Sequence, residues 1–230
     1  MSERASEAQR LQRGAAALGI MLEALQIEQL QQLLDELTRW NRAYNLTAVT
    51  ERGAMLTHHL LDSLSAAAAL QGEHIADVGT GGGFPGLPLA VLFPARRFTL
   101  IDSNSKKLRF VAHAARTLGL GNVATRHARA ESLHEPIPGG TVVTRAYAAL
   151  PELVSSIAGL CAASTLVLAM KGRYPADEIA ALPPGWRLID AQRIAVPQLD
   201  AERHLIRLAP PPAAAPAGGH AAALPAGSAR

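Results

Sequence analysis

A run of glycines between a predicted strand and a predicted helix constrains this chain more than any other feature. The run reads Asp77-Val78-Gly79-Thr80-Gly81-Gly82-Gly83-Phe84-Pro85-Gly86. The apolar stretch before it predicts a strand, and Pro85 suits the first turn of a helix, whose N–H groups have no partner within the helix. Glycine allows backbone conformations that other residues rarely adopt and leaves the main chain bare. We therefore expect a ligand to lie against this turn.

Short apolar runs alternate with helical periods through the middle of the chain, which predicts a mostly parallel sheet with helices on both faces. The predicted strands cover residues 74–78, 98–101, 123–126, 142–144, 165–170, 186–194 and 204–208, the last two as an antiparallel pair. Helices are predicted from Pro85, over 105–118 and from about Pro151. The expected fold class is a Rossmann-like α/β fold.

Composition divides the chain into three parts. Residues 1–72 form a helical extension in which leucines recur at helical spacing, and residues 73–209 form the α/β domain. Residues 210–230 are almost entirely Ala, Pro and Gly, and we predict a disordered tail because such a segment cannot bury a core.

Several classes of protein are excluded by composition. The single cysteine rules out a disulfide framework and a four-thiolate zinc site, and the histidines show no metal-ligand spacing, so we expect no metal. The chain has no apolar run of the roughly 18 residues that a membrane helix needs, and its start does not read as a signal peptide. We expect a cytoplasmic protein, with a monomer as the default.

The glycine run fits two ligands. Gly81, Gly83 and Gly86 satisfy the GxGxxG pattern of nicotinamide dinucleotide sites. Asp77 stands ahead of the first glycine, however, and this D-x-G-x-G-x-G arrangement resembles the first motif of S-adenosylmethionine-dependent methyltransferases. Phe84 and Pro85 also fill the part of the turn where a pyrophosphate would need open N–H groups. Asp102, at the end of the second strand, can accept hydrogen bonds from the ribose of either ligand.

Further candidates follow the later strands. Ala130 and Glu131 stand where an adenine could bind, although Glu131 also suits a helix start. Arg145 and Lys171 follow the fourth and fifth strands and could bind a phosphate or an acceptor carbonyl, or could be solvated cations. Cys161 lies in an apolar setting and is predicted to be structural.

The formal charge of +3 is concentrated in the middle of the chain, which favours a polyanion such as RNA but is also compatible with a solvated basic face. Trp40 and Tyr44 in the extension could stack on unpaired bases. For Trp40 we favour packing of the extension against the sheet.

Taken together, the chain resembles the bacterial RsmG family, also called GidB, from about Leu33 to Leu208. The segments that carry the resemblance are Trp40-Asn41, Asn45-Leu46-Thr47, His59-Leu60-Leu61-Asp62-Ser63-Leu64, the glycine run, Asp102-Ser103, Arg129-Ala130-Glu131, Thr144-Arg145-Ala146 and Lys171-Gly172. The resemblance implies a class I methyltransferase fold and methylation by S-adenosylmethionine of N7 of guanine 527 in 16S ribosomal RNA.

The resemblance also implies which residues form the site. The cofactor-binding residues would be Gly79, Gly81, Gly83, Phe84, Asp102, Ala130, Glu131 and Arg145. From their chemistry and position rather than from the resemblance, we expect Asn45, Arg145 and Lys171 to contact the RNA. The catalytic residues stay unknown. Two alternatives stay open: a nicotinamide-dependent oxidoreductase, and a non-catalytic RNA-binding module of ribosome assembly.

Overall fold

The computed structural model describes residues 3–212, which form a seven-stranded sheet between layers of helices. The strands are β1 (His74–Val78), β2 (Arg97–Asp102), β3 (Val123–His127), β4 (Thr141–Arg145), β5 (Leu166–Lys171), β6 (Arg187–Arg193) and β7 (His204–Ala209). Their order across the sheet is β3-β2-β1-β4-β5-β7-β6. The first five strands run parallel, and β7 is antiparallel to both β5 and β6. The predicted fold class is confirmed.

The helices are α1 (Glu3–Ala17), α2 (Ala24–Tyr44), α3 (Arg52–Met55), α4 (Asp62–Leu64), α5 (Gly86–Leu92), α6 (Ser105–Thr117), α7 (Leu150–Ser156) and α8 (Ala176–Ala180). A π-helical segment, Leu56–Leu61, joins α3 to α4, and 3₁₀ turns cover Ala67–Ala69, Ala130–Ser132 and Ala158–Leu160. Helix α5 begins one residue later than predicted, because Pro85 is its N-cap.

Alternation along the strands divides the core into two clusters, one on each face of the sheet. In β1, Ile75 belongs to one cluster, and its neighbours Ala76 and Val78 belong to the other. Successive side chains of a strand point to opposite faces, so the strands β1, β2, β4, β5 and β7 each supply both clusters. Leu168 and Val167 of β5 divide in the same way. Burial on both faces explains why these strands are continuous apolar runs in the sequence.

The N-terminal extension packs on one of these faces and shares its core. Leu34 of α2 and Leu60 of the π-helical segment are fully buried in the cluster that contains Ile75. Trp40 contacts Phe110 of α6, with ring centroids 5.8 Å apart. Trp40 therefore packs the extension against a helix that covers the sheet, rather than against the strands themselves. The division of the chain at residue 72 stays a prediction.

The predicted disordered tail falls mostly outside the described residues, because 213–230 are not among them. Within residues 3–212, no helix is long and apolar enough to cross a membrane.

Candidate functional site

The strand order reverses between β1 and β4, and this point positions the site. From β1 the chain moves outward to β2 and β3 on one side, and β4 then pairs with the opposite edge of β1. The loops that leave the carboxyl ends of β1 and β4 therefore diverge and leave a crevice between them. Ligands of open α/β sheets bind in such crevices.

A first cavity of about 250 Å³ lies at this crevice. Its walls come from the loops after β1, β2, β3 and β4, and consist of Val78, Gly79, Ile101, Asp102, Ser103, Ala128, Arg129, Ala130, Glu131, Ala146 and Tyr147. The structure thus brings together four residues that the sequence predicts for the cofactor site: Gly79, Asp102, Ala130 and Glu131. The side chain of Ala130 is buried, whereas Glu131 is exposed in a 3₁₀ turn.

The wall that Gly79 forms requires glycine. Its φ is +70°, and a Cβ atom on Gly79 would lie 2.4 Å from Cδ2 of Tyr147. The N–H groups of Gly79 and Thr80 both donate to the carbonyl oxygen of Ile101, at 2.9 and 3.0 Å. The bare main chain is therefore fixed to the end of β2, beneath the first cavity.

Asp102 links the glycine loop to the start of α6. Its Oδ2 accepts a hydrogen bond from the N–H of Gly81 at 2.8 Å, and its Oδ1 accepts one from the N–H of Asn104 at 2.7 Å. A carboxylate has about four acceptor positions, so Asp102 can still accept hydrogen bonds from two hydroxyls. The residue is fixed in orientation and faces the first cavity.

Asp77 is fully buried and does not line the first cavity. Its Oδ2 accepts hydrogen bonds from the Thr80 hydroxyl at 2.6 Å and from the N–H of Gly86 at 2.8 Å, whereas Oδ1 has no partner among the described residues. Burial raises the pKa of Asp77 to about 6, although these hydrogen bonds act in the opposite direction. At neutral pH the loop therefore encloses a largely unshielded negative charge.

A second cavity, of about 400 Å³, adjoins the first. It is lined by Val49, His58, His59, Asp62, Arg145, Ala146, Met170, Lys171, Gly172 and Arg203. Ala146 lines both cavities, so they meet directly after β4. A ligand in the first cavity can therefore approach a second ligand without leaving the protein.

Two arginines and one buried carboxylate dominate the second cavity. Nη1 of Arg145 lies 3.0 Å from Oδ2 of Asp62, and Nε of Arg203 lies 2.9 Å from its Oδ1. Arg145 also donates to the carbonyl oxygen of His58 at 2.7 Å. The Asp62 side chain is only 4% exposed, so its charge is shared between the arginines. This trio carries a net positive charge suited to an anion or to carbonyl oxygens.

The glycine loop and the extension are joined by ring stacking. The ring of Phe84 lies 4.7 Å from that of His59, nearly parallel to it, and the guanidinium of Arg145 lies 5.5 Å from the Phe84 centroid. Nε2 of His59 lies 2.9 Å from Oγ1 of Thr47. Burial, together with the nearby charge of Arg145, lowers the pKa of His59 to about 4, so the imidazole is neutral at physiological pH.

The remaining predicted residues lie in different places. Neither Gly81, Gly83 nor Phe84 lines the first cavity, and the Phe84 side chain is buried against His59. Lys171 lines the second cavity, but its ammonium is bound by the carboxylate of Glu178 and the carbonyl oxygen of Ala148. Asn45 ends α2 in a left-handed conformation and lines a separate cavity beside Asn41.

Sequence reasoning did not assign a site role to Asp62, His58, His59 or Arg203. Asp62 had a usable signal, because an acid inside the leucine-rich run Leu60-Leu61-Asp62-Ser63-Leu64 must be buried and therefore paired. Arg203 had no such signal, since it belongs to the loop between β6 and β7. Across residues 3–212, no group of three His, Cys, Asp or Glu side chains is arranged to hold a metal ion.

Comparisons with known proteins agree on one family. The family model of rRNA small subunit methyltransferase G, GidB, matches residues 26–206. The ribosomal RNA small subunit methyltransferase G of Marinobacter nauticus is 46% identical over 199 residues, which cover 86% of this chain and 93% of that protein. The protein of the same name from Pseudomonas syringae pv. tomato is 44% identical over 201 residues, which cover 87% and 95%.

Solved structures show the same fold. TrmN from Thermus thermophilus superposes with a TM-score of 0.52 at 22% identity, over 67% of this chain and 53% of that one. At this identity the likeness concerns the fold alone, which is that of class I methyltransferases.

Proposed function

Because this chain belongs to the family of rRNA small subunit methyltransferase G, GidB, we propose that it transfers the methyl group of S-adenosylmethionine to N7 of guanine 527 in 16S ribosomal RNA. Membership establishes ribosomal RNA methylation as the family's activity. The donor, the base and the atom are the further steps proposed here.

The observation that carries the proposal is the pair of cavities that meet at Ala146. A methyl transfer needs the donor and the acceptor side by side, with the reacting atoms in line. The first cavity offers bare main chain and a fixed carboxylate, and the second offers two arginines. The arrangement suits a nucleoside donor on one side and a nucleotide acceptor on the other.

The residues of the first cavity fit S-adenosylmethionine. Asp102 would accept hydrogen bonds from the ribose hydroxyls, and Ala130 and Glu131 would lie against the adenine. The buried charge of Asp77, with its unpartnered Oδ1, would attract the positive sulfonium and ammonium groups. The cofactor, when bound, supplies an electrophilic methyl group.

Attack by N7 of guanine needs no general base, so neither His58 nor His59, which line the second cavity, is required to accept a proton. The N7 atom of guanine has a free lone pair in the plane of the ring, so it can attack without losing a proton. When bound beside Asp102, Ala130 and Glu131, S-adenosylmethionine would supply the methyl group to N7. Its sulfur would keep the electron pair of the broken bond, so the positive charge would pass from the sulfonium to the guanine. Positioning can then supply a large part of the rate enhancement, on the order of 7–11 kcal/mol.

Arg145 would orient the acceptor rather than take part in bond making. A cation pressed against N7 would oppose the charge that develops on the ring. Nη1 of Arg145 is bound to Asp62 and His58, and among residues 3–212 its Nε and Nη2 have no hydrogen-bond partner. We therefore assign these free N–H groups to a phosphate or to O6 of the guanine.

The test is an in vitro reaction with tritiated S-adenosylmethionine and small-subunit RNA from cells that lack the gene, followed by mass mapping of the methylated nucleotide. Label at N7 of guanine 527 is expected. Label at another base or atom would refute the assignment of the target. Absence of transfer with intact RNA binding would favour the non-catalytic module, and binding of NADH in preference to S-adenosylmethionine would favour the oxidoreductase.

A variant pair tests the ribose contact. Asp102→Asn should weaken S-adenosylmethionine binding roughly 10- to 100-fold, because hydrogen bonds to a charged acceptor contribute about 1.5–3 kcal/mol. Asp200→Asn is the matched control, since Asp200 is exposed and lies away from the first cavity. Equal affinities for the two variants would remove Asp102 from the cofactor site.

A further inference from the structure

Helix α6 carries an unusual charge distribution for a helix of a folded protein. It contains four Lys and Arg residues and no acid, and two of the four, Lys106 and Lys107, lie in its first turn. The N-terminal end of a helix is the positive end of its dipole, where cations are unfavourable. Nothing in the fold requires this arrangement, because the side chains concerned are not in the core.

The cations of α6 form a stripe beside α2. Lys106, Arg109, His113 and Arg116 recur at intervals of three and four residues and therefore lie on one side of the helix. Within residues 3–212, no acidic side chain pairs with Lys106, Arg109 or Arg116, whereas His113 lies 2.7 Å from the carboxylate of Glu36. Like charges at this spacing repel one another, and Lys106, Arg109 and Arg116 have no acidic partner among residues 3–212 that would offset this repulsion.

An aromatic column stands next to this stripe. Tyr44 and Trp40 of α2 are stacked with their centroids 5.2 Å apart, and Trp40 lies 4.9 Å from the ring of His113. The guanidinium of Arg109 lies 5.8 Å from the Tyr44 centroid. Tyr44 is 37% exposed, so the column ends at the protein surface. We call the stripe together with Trp40 and Tyr44 the α6 surface.

The α6 surface is close along the chain to residues that line both cavities of the candidate site. Helix α6 starts at Ser105, directly after the turn that carries Asp102 of the first cavity. On the other side, a short turn separates Tyr44 from Val49, which lines the second cavity. A polymer with one unit in the second cavity could therefore continue over this surface.

We propose that the α6 surface binds the single-stranded RNA next to the target nucleotide. Phosphates of the strand contact Lys106, Arg109 and Arg116, and an unpaired base stacks at the exposed end of the column, against Tyr44 and the guanidinium of Arg109. The inference rests on the proposed function, since it takes RNA as the substrate.

The combination of features favours RNA over a protein partner. Single-stranded nucleic acids are bound by basic grooves that follow the phosphates and by aromatic rings on which bases stack, and arginine planes serve the same purpose. An acidic protein surface would pair with the stripe but would not use the exposed ring of Tyr44 at the end of the column. The two features lie side by side, as a nucleotide requires.

The first test removes the charge of the stripe. The triple variant Lys106→Gln, Arg109→Gln, Arg116→Gln should bind the RNA at least tenfold more weakly at moderate salt. Its slope of log affinity against log salt should fall in magnitude by about 2, since each phosphate contact on a single strand contributes about 0.7. The KM for RNA should rise, while kcat at saturating RNA and the affinity for S-adenosylmethionine stay unchanged.

A matched triple variant controls for net charge. Arg13→Gln, Arg187→Gln and Arg193→Gln remove the same charge from exposed residues of α1 and of β6, the strand at the opposite end of the sheet from β3. This control should keep the salt slope of the parent protein. Equal slopes for the two triple variants would overturn the inference, because binding would then depend only on total charge.

The second test concerns the base. Tyr44→Leu should weaken RNA binding about 5- to 100-fold, the range found for loss of one stacked base, and Tyr44→Phe should restore it. Trp40 provides an independent readout: in a Trp186→Phe background it is the sole tryptophan, and RNA should quench its fluorescence. Unchanged affinity in Tyr44→Leu, or unquenched Trp40 in the RNA complex, would refute the stacking.

Failure of this inference can be told apart from failure of the proposed function. If the protein methylates guanine 527 and both the stripe and the Tyr44 variants bind RNA normally, only the role of the α6 surface in RNA binding is rejected. If the parent protein transfers no methyl group to RNA but the stripe and Tyr44 variants lose RNA binding, only the proposed methyl transfer is rejected. If the stripe and Tyr44 variants bind assembled subunits more weakly than the parent but bind naked RNA equally well, the inference is overturned. The α6 surface would then contact a ribosomal protein.

Discussion

Asp77→Asn isolates the charge that the glycine loop encloses. Both hydrogen bonds to Asp77 fall on one oxygen, Oδ2, which receives the Thr80 hydroxyl and the N–H of Gly86. An asparagine can accept both through its single oxygen, with its NH₂ group where the unpartnered Oδ1 now lies. The substitution therefore removes the charge and leaves the two contacts that shape the loop.

The effect on stability follows from the raised pKa. Burial moves the pKa of Asp77 from 3.8 to about 6. Between these values the folded protein keeps a proton that the unfolded chain has released, so this carboxyl makes the protein less stable as pH rises. At about 1.4 kcal/mol per pKa unit, the loss reaches about 3 kcal/mol by pH 6 and is constant above it. Asparagine does not titrate, so the variant escapes this loss.

The assay is urea unfolding of both proteins from pH 4 to pH 8. The difference in unfolding free energy between Asp77→Asn and the parent should shift in favour of the variant by about 2 kcal/mol between pH 4 and pH 7. Other titrating groups are common to both proteins and cancel in the difference. A difference that is independent of pH would refute the raised pKa.

The same variant should bind S-adenosylmethionine more weakly although it is more stable at neutral pH. Two opposite charges about 10 Å apart attract by roughly 1.7 kcal/mol at an effective dielectric constant of about 20. Loss of the Asp77 charge should therefore weaken binding more than tenfold, measured by calorimetry at pH 7.5. Equal affinity would show that the loop retains this carboxylate for a reason other than the cofactor.

Three further predictions concern the loop, the arginine pair and the cysteine. Gly79→Ala should abolish measurable S-adenosylmethionine binding in the calorimetric assay, because Gly79 has a φ of +70° and the position of its added Cβ atom is blocked. Gly82→Ala is the control: the nearest atom to its Cβ would be 3.5 Å away, so this variant should bind normally. Asp62→Asn should lower the unfolding free energy by about 3–5 kcal/mol and impair methylation, because it leaves two largely buried arginines without a counter-charge. Asp35 also pairs with two arginines but is half-exposed, so Asp35→Asn should cost less than about 1 kcal/mol. Equal losses of the two variants in urea unfolding would contradict the buried pairing of Asp62. Partial burial raises the pKa of Cys161 to about 12, so N-ethylmaleimide should label this thiol much more slowly in the native protein than after unfolding. Equal labelling rates for the native and the unfolded protein at pH 8 would contradict this prediction.

The centre of the sheet could be predicted because the strands β1, β4 and β5 are buried on both faces. A continuous apolar run such as that of β5 (Leu166–Lys171) predicts a buried strand even when the strands that pair with it are not known. The glycine run was equally readable, since positive φ at Gly79 and Gly83 is what glycine permits. Strand ends differed from the predictions by a residue or so, because pairing with the next strand extends them beyond the apolar run.

The second cavity could not be read from the sequence in the same way. Its central contacts join Asp62 to Arg145 and Arg203, which are far apart along the chain. The sequence around a charged loop residue does not indicate whether a distant residue pairs with it, so from the sequence Arg203 could not be distinguished from a solvated cation. Lys171 shows the opposite case. It lies at the end of the strand where the sequence predicts a cation for the site, but its ammonium is bound by Glu178.

These differences suggest that the two cavities depend on the chain in different ways. The first cavity is built from residues between Val78 and Tyr147, all within the α/β domain. The second cavity also needs His59 and Asp62 from the extension and Arg203 from the last loop. Because Asp62 fixes the Arg145 side chain and His59 stacks on Phe84 of the glycine loop, the extension shapes the wall where the cavities meet. The residues of the α/β domain alone form the first cavity, where we propose that the nucleoside binds, whereas the second cavity, proposed for the acceptor, also needs the extension and the loop between β6 and β7.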